Sequence, residues 1–116
     1  MNSGGLAKVI DLLGFVRRRP HMYVQPCDVA HFVTWLNGVG IYEDLCGDEI
    51  DRGQWLEWRK QAIETRGWAE AACGCWVEMQ ERGLSPAAII DELLVIETAV
   101  LQAAQSALAV RSIQAS

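Results

Sequence analysis

Cysteine and histidine are the residue types in this chain best suited to chemistry. Cys27 and His31 are four residues apart, so on a helix they would lie one turn from each other, and a helix N-terminus would lower the pKa of the thiol. This spacing would allow a thiol nucleophile to lie beside a base. An isolated pair of this kind is more often packed than catalytic, and neither His21 nor His31 lies in a recognised catalytic motif. We therefore expect a protein without enzymatic activity.

Metal binding is the second chemistry that the cysteines offer. A site would combine Cys27, His31 and Cys46 with either Cys73 or Cys75. However, the sequence has no Cys-x-x-Cys pair, and Cys73 and Cys75 would lie about 200° apart around a helix. We interpret all four cysteines as small reduced residues, and we expect no metal and no other cofactor.

Acidic side chains are concentrated in the middle of the chain, in a stretch that we call the acidic segment (residues 43–51). It contains Glu43, Asp44, Asp48, Glu49 and Asp51. One interpretation is a solvated loop followed by an acidic first helical turn, which the helix dipole favours. The other is a surface for a basic protein partner, because complementary charge accelerates association. The net charge of −5 disfavours nucleic-acid binding.

Length and composition indicate one globular domain over residues 1–116. The chain has 116 residues, of which 51% are hydrophobic and 22% charged. We expect residues 1–5 and 112–116 to be flexible. No signal-like start and no uninterrupted apolar run of about 18 residues is present, so we expect a cytoplasmic protein that does not bind a membrane.

Apolar periodicity predicts an all-α fold, a compact bundle of about five helices with a long apolar C-terminal helix. The predicted spans are 6–16, 28–45, 51–66, 68–82 and 86–110. Asp28 and Ser85 are suitable N-caps, and Gly67 and Gly83 are suitable C-terminal stops. The third and fourth helices would form an antiparallel hairpin.

The last predicted helix has an unusually wide apolar side. Ile89, Leu93, Ile96 and Val100 recur at spacings of three and four residues. Such a face suits the core of a small bundle, and it also suits a seam between two copies of the chain. We favour the core and keep the homodimer as the alternative.

An Arg-Pro-x-Met-Tyr turn follows the first predicted helix. Pro20 would fix the direction of the chain, and Arg19 would bond free carbonyl groups at the helix end. Met22 and Tyr23 would fill the gap between the first two helices. We interpret this motif as structural, with a ligand site as the alternative.

Two families share this motif. Residues 16–24 are similar to a short segment of the ATPase domain of type II topoisomerases, but the other motifs of that domain are absent. Over about residues 6–80 the chain resembles a group of small bacterial proteins of immunity or toxin-neighbourhood type. The residues that carry this resemblance are Arg19, Pro20, Met22, Tyr23, Phe32, Leu36, Asn37, Gly38, Trp55, Trp58, Gly67 and Trp68. His21 and Gln25 replace glycines that are usual in the group.

The resemblance implies a binding role rather than catalysis. We therefore expect an immunity or antitoxin-like inhibitor that binds a basic toxin through the acidic segment. The alternative is a structural or assembly subunit that self-associates through its C-terminal helix.

Overall fold

The computed structural model describes residues 3–25, 27–39, 50–69 and 75–115. Within these ranges the elements are α1 (Ser3–Arg18), a 3-10 turn (Pro20–Met22), α2 (Val29–Val39), α3 (Arg52–Thr65), α4 (Cys75–Glu81) and α5 (Pro86–Ala115). The predicted all-α bundle with a long apolar C-terminal helix is confirmed. Both α1 and α5 extend into the ends that we predicted to be flexible.

The predicted N-caps of α2 and α5 are confirmed by their hydrogen bonds. The backbone amide of His31 donates to Asp28 Oδ1 at 2.8 Å, and that of Ala88 donates to Ser85 Oγ at 3.2 Å. Each bond satisfies an amide that has no partner within its helix. Residues 40–45, which the second predicted helix included, lie outside the described part of the chain.

The predicted glycine stops are confirmed too. Gly67 and Gly83 have φ values of 85° and 86°, in the left-handed region that favours glycine. After Gly67, the amide of Trp68 donates to the carbonyl of Ile63 at 3.1 Å, and that of Gly67 donates to Glu64 at 2.9 Å. This pair of bonds is a Schellman motif, and the same pattern follows α4.

The predicted start of the fourth helix was wrong. Trp68 and Ala69 are not helical, and the described part of α4 begins at Cys75. The amide of Ala69 donates to the Glu78 carboxylate at 2.7 Å instead of to a helical carbonyl. In the described residues α3 and α4 each pack mainly against α5, and the predicted hairpin of these two helices stays a prediction.

The core surrounds α5, against which all four other α-helices pack. The largest fully buried side chains come from every part of this arrangement: Leu6, Leu13, Val16, Phe32, Trp55, Met79, Ile89, Leu94, Val100 and Leu101. Trp55 also contacts Trp58 edge to face, with ring centroids 5.5 Å apart. The helix with the widest apolar face is therefore the central one.

The candidate seam between two copies lies inside this core. Ile89, Leu93, Ile96 and Val100 are all buried against the chain's own helices. Their spacing places them on the side of α5 that the other helices cover. The core interpretation is the one that the structure adopts, and these side chains offer no surface to a second copy.

One helix has the length and composition of a membrane span. The most apolar 18-residue stretch within Pro86–Val110 of α5 has a mean hydropathy of 1.6. Of this stretch, 44% is buried in the bundle. The buried central helix of a bundle meets the same criteria. The absence of membrane binding stays a prediction.

Candidate functional site

The Arg-Pro-x-Met-Tyr motif forms a tight turn between α1 and α2. Arg19 leaves the helix with φ −144° and ψ 67°, outside the α region that a following proline disfavours. The amides of Tyr23 and Val24 both donate to the carbonyl oxygen of Pro20 at 3.1 Å. This closure directs Val24 into the core, where it is 5% exposed.

The predicted packing of Met22 and Tyr23 was wrong. These side chains are 60% and 43% exposed, and Val24 fills the buried position instead. Arg19 bonds carbonyl groups at the helix end as predicted, through its backbone amide, which donates to the carbonyls of Phe15 and Val16 at 3.3 and 3.2 Å. The end of α1 is thus satisfied by the backbone, and the guanidinium of Arg19 lies 4.0 Å from the sulfur of Met22.

These exposed side chains form a surface at the end of α1, which we call the basic turn surface: Phe15, Arg18, Arg19, Met22 and Tyr23. The ring of Phe15 is 53% exposed, and Arg18 Cζ lies 5.9 Å from its centroid. Each guanidinium is therefore placed against an apolar side chain. Sequence reasoning missed Phe15, although its position outside the buried stripe of α1 was the available signal.

Four other arginines form ion pairs within the fold. The pairs are Arg17 with Asp91, Arg59 with Glu97, Arg66 with Glu92 and Arg82 with Glu78. Three of these carboxylates belong to α5, so the pairs join α1 and α3 to the central helix. The hydrogen bonds that Arg17 donates to Asp91 and Arg66 donates to Glu92 raise the pKa of these two arginines. In contrast, no carboxylate in the described residues pairs with Arg18 or Arg19.

Glu92 is the centre of a polar network between α3 and α5. It accepts hydrogen bonds from Arg66, with Nε at 3.0 Å, and from Trp68 Nε1 at 2.6 Å. The hydrogen bond from Arg66 and then that from Trp68 lower the pKa of Glu92, against the opposing effect of burial. The guanidinium of Arg82 lies over the ring of Trp68, with Cζ 4.8 Å from the ring centroid. The indole of Trp68 therefore contacts both Glu92 of α5 and Arg82, which follows α4.

A groove of about 560 Å³ lies beside the turn. It is lined by Tyr23, Val24, Gln25, Ala30, His31, Thr34 and Trp35. His31 Nδ1 lies 2.9 Å from both carboxylate oxygens of Asp28. The backbone hydrogen bond from His31 is the largest cause of the lowered pKa of Asp28. The groove is apolar, with one imidazole held in a fixed orientation.

The candidate thiol and metal residues are only partly within the described chain. Cys27 is half-buried, while burial raises the pKa of the Cys75 thiol, so Cys75 stays protonated at neutral pH. Cys46 and Cys73 lie outside the described residues. Among the residues that are described, no three His, Cys, Asp or Glu side chains are grouped to hold a metal ion.

The acidic segment lies mostly outside the described residues. Glu43, Asp44, Asp48 and Glu49 belong to residues 40–49, whereas Asp51 is exposed at the N-cap of α3. Ile50, beside it, is buried in the core. The carboxylate of Asp51 is therefore exposed to solvent at the N-terminus of α3, where the helix dipole is positive.

The acidic residues of the chain are unevenly distributed along the sequence. Five of the 15 Asp and Glu residues lie in the acidic segment, residues 43–51.

Comparison of the chain with models of protein families, with curated proteins and with solved structures finds no match in any of the three.

Proposed function

We propose that this chain is a non-enzymatic protein-binding domain, an immunity or antitoxin-like inhibitor that binds a basic toxin in the cytoplasm. The distribution of charge carries the proposal. Four carboxylates, those of Glu43, Asp44, Asp48 and Glu49, fall within seven residues that contain no Lys or Arg. A local negative field of this kind attracts a basic protein and accelerates its association.

The pairing of acidic residues in the bundle supports this assignment. Asp28, Glu78, Asp91, Glu92 and Glu97 all contact a cationic or titratable partner within the chain. These carboxylates stabilise the fold through their partners, and we assign the carboxylates of residues 43–49 to partner binding. Asp51 extends the negative field to the exposed start of α3.

Two features support binding rather than catalysis. The raised pKa of Cys75 disfavours its thiolate, which is the nucleophilic form. The imidazole of His31 bonds to Asp28, next to a groove with a largely apolar lining. Both features suit packing and recognition.

The experiment compares two variants that remove the same amount of charge. One carries Glu43→Gln, Asp44→Asn, Asp48→Asn and Glu49→Gln. The control carries Asp11→Asn, Glu57→Gln, Glu64→Gln and Glu81→Gln, at exposed positions in the bundle. Each tagged protein is used to capture partners from lysate of the native host at low and moderate salt. We expect the wild type and the control to retain one basic protein that the first variant loses.

The inhibitory role is tested with the captured protein itself. Its expression alone should arrest growth, and co-expression of the wild-type chain should restore growth. The variant neutralised at residues 43–49 should restore it much less than the control. Capture that is equal for all three proteins, or a partner whose expression is harmless, would refute the proposal.

A second candidate function is an assembly subunit that self-associates through α5. It is favoured by the end of this helix, where Val110 and Ile113 are 52% and 75% exposed. Burial of these side chains between copies would be strengthened by salts that enhance the hydrophobic effect. Light scattering of Val110→Ser/Ile113→Ser beside the wild type tests this candidate, which fails if both proteins have the same mass in sulfate-containing buffer.

A further inference from the structure

The side of α1 that points away from the core carries four exposed residues, which we call the outer face of α1: Asp11, Gly14, Phe15 and Arg18. They follow one another at spacings of three, one and three residues, so they lie within a sector about 100° wide around the helix. Leu13 and Val16, which are fully buried, lie on the opposite side. The outer face is therefore a continuous surface that the core of the described chain does not use.

A groove of about 500 Å³ runs beside the outer face, between α1 and α5. Gly14 of α1 and Ala99 of α5 are the smallest residues that line it. A Cβ atom added to Gly14 would have no atom within 4 Å. Glycine destabilises the interior of a helix relative to alanine, and no packing within the described residues requires it at this position. The open space at Gly14 suits the close approach of a second molecule.

Asp11 and Arg18 carry opposite charges at the two ends of the outer face. They are seven residues apart, which is about 10 Å along the helix axis, and the open space lies between them. Neither forms an ion pair with another residue that the structure describes, whereas Arg17 is paired with Asp91 at 2.6 Å. Phe15 adds an aromatic ring that is 53% exposed, with Arg18 Cζ 5.9 Å from its centroid. The outer face thus presents an anion, an open space, an exposed ring and a cation, in this order along the helix.

This order is complementary to itself when the direction of the helix is reversed. If a second α1 lies antiparallel to the first, with a two-fold axis between Gly14 and Phe15, Asp11 faces Arg18 of the second copy. The same arrangement places Gly14 opposite Phe15 of the second copy, and each of these contacts is made twice. We propose that two copies of this chain associate through the outer faces of their α1 helices. In the dimer each Phe15 ring enters the groove of the other copy beside Gly14, and the ion pairs between Arg18 and Asp11 flank the two rings.

The outer face of α1 differs from the other candidate surfaces of the chain. It shares no residue with the acidic segment, so the inference does not depend on a basic toxin. It also differs from the end of α5, where Val110 and Ile113 are exposed. A contact made by one helix of each copy is smaller than a standard interface between stably associated proteins, so we expect a weak dimer with a Kd of about 10–100 µM.

A charge swap tests the two ion pairs. Asp11→Arg and Arg18→Asp each place like charges opposite one another at both contacts, so each variant should dimerise about thirtyfold more weakly than the wild type. A chain that carries both substitutions should dimerise like the wild type, because the facing charges are then opposite again. An equimolar mixture of the two single variants should form a heterodimer for the same reason. Sedimentation equilibrium at up to about 200 µM protein measures each association, with circular dichroism to confirm folding.

A further variant tests the close approach at Gly14 without weakening the helix. Gly14→Gln should stay folded, because glutamine favours a helix more than glycine does. Its side chain would occupy the space that Phe15 of the second copy needs, so we expect this variant to be monomeric. The matched control is Lys60→Glu, which changes the net charge by the same amount as Arg18→Asp at an exposed position on α3. The control should dimerise like the wild type.

Four results would overturn the inference. The first is a wild type that is monomeric at about 200 µM. The others are a Gly14→Gln variant that dimerises like the wild type, a control that dissociates like Arg18→Asp, and a mixture of the single variants without heterodimer. None of these results depends on identifying a toxin.

Discussion

Replacement of Glu92 by glutamine should destabilise the bundle and change its response to acid. Glu92 lies on α5 and is mostly buried. Its carboxylate joins Arg66, at the end of α3, and Trp68, after the glycine stop. Glu92→Gln preserves the shape of the side chain but removes its charge and one acceptor oxygen. The change therefore isolates the electrostatic contribution of the network.

The expected loss follows from these bonds. A hydrogen bond to a charged group contributes about 1.5–3 kcal/mol to the free energy of unfolding. The bond from Arg66 should contribute the lower value of this range, because the Arg66 side chain is half exposed. The glutamine oxygen can still accept one bond. We expect the free energy of unfolding to fall by about 2 kcal/mol at neutral pH. With a urea dependence of about 1.5 kcal/mol/M, the midpoint would fall by about 1.3 M.

The same substitution should reduce the difference between neutral and acidic conditions. The hydrogen bond from Arg66 lowers the pKa of folded Glu92 below its value in the unfolded chain. The stabilisation is therefore fully present above the unfolded pKa of about 4.3, and it is lost as the pH falls through the folded pKa. The gap between wild type and Glu92→Gln should close progressively below about pH 4.

Urea unfolding followed by tryptophan fluorescence, from neutral pH downward, measures both effects. Glu57→Gln is the control, because Glu57 is exposed on α3. This substitution should change the free energy of unfolding by less than about 0.5 kcal/mol. A Glu92→Gln midpoint equal to that of the control would show that the network does not stabilise the fold. A difference independent of pH would refute the electrostatic explanation.

Three further predictions concern the backbone, the core and the thiols. Gly67→Ala should destabilise by about 1 kcal/mol because of its φ of 85°, whereas Gly14→Ala, with no atom within 4 Å of the added Cβ, should stabilise by up to about 1 kcal/mol in thermal unfolding. Leu101→Ala should cost about 2–5 kcal/mol in urea unfolding, because Leu101 is fully buried; a smaller loss would contradict its place in the core. In single-cysteine variants Cys75 should react more slowly than Cys27 with a thiol reagent at neutral pH, since burial hinders access and raises the pKa of Cys75; equal rates would contradict this.

Local chemistry explains why much of the fold was predictable from the sequence. Asp28 and Ser85 cap helices by bonds to amides three residues later, and Gly67 ends α3 in a conformation that disfavours other residues. These signals act within a few residues of the chain. They are therefore visible without knowledge of the tertiary structure.

The errors arose where distant residues decide the local structure. Trp68 continues a helical apolar pattern, but in the structure it follows the Gly67 stop outside a helix, and its indole nitrogen donates to Glu92, 24 residues later. Met22 and Tyr23 are apolar residues in a turn, and the burial of Val24 leaves them on the surface. The spacing of apolar residues does not predict either outcome, because tertiary packing decides which side chain is buried.

The composition of α5 follows from its central position. Four helices pack against it, so apolar residues are favoured around most of its circumference, and the same composition resembles a membrane span. Its acidic residues Asp91, Glu92 and Glu97 pair with arginines of α1 and of α3 and its C-cap, which attaches the surrounding helices by charge as well as by burial. Because Ile89, Leu93, Ile96 and Val100 are buried within the bundle, they stabilise the fold of the single chain and are not available to a partner.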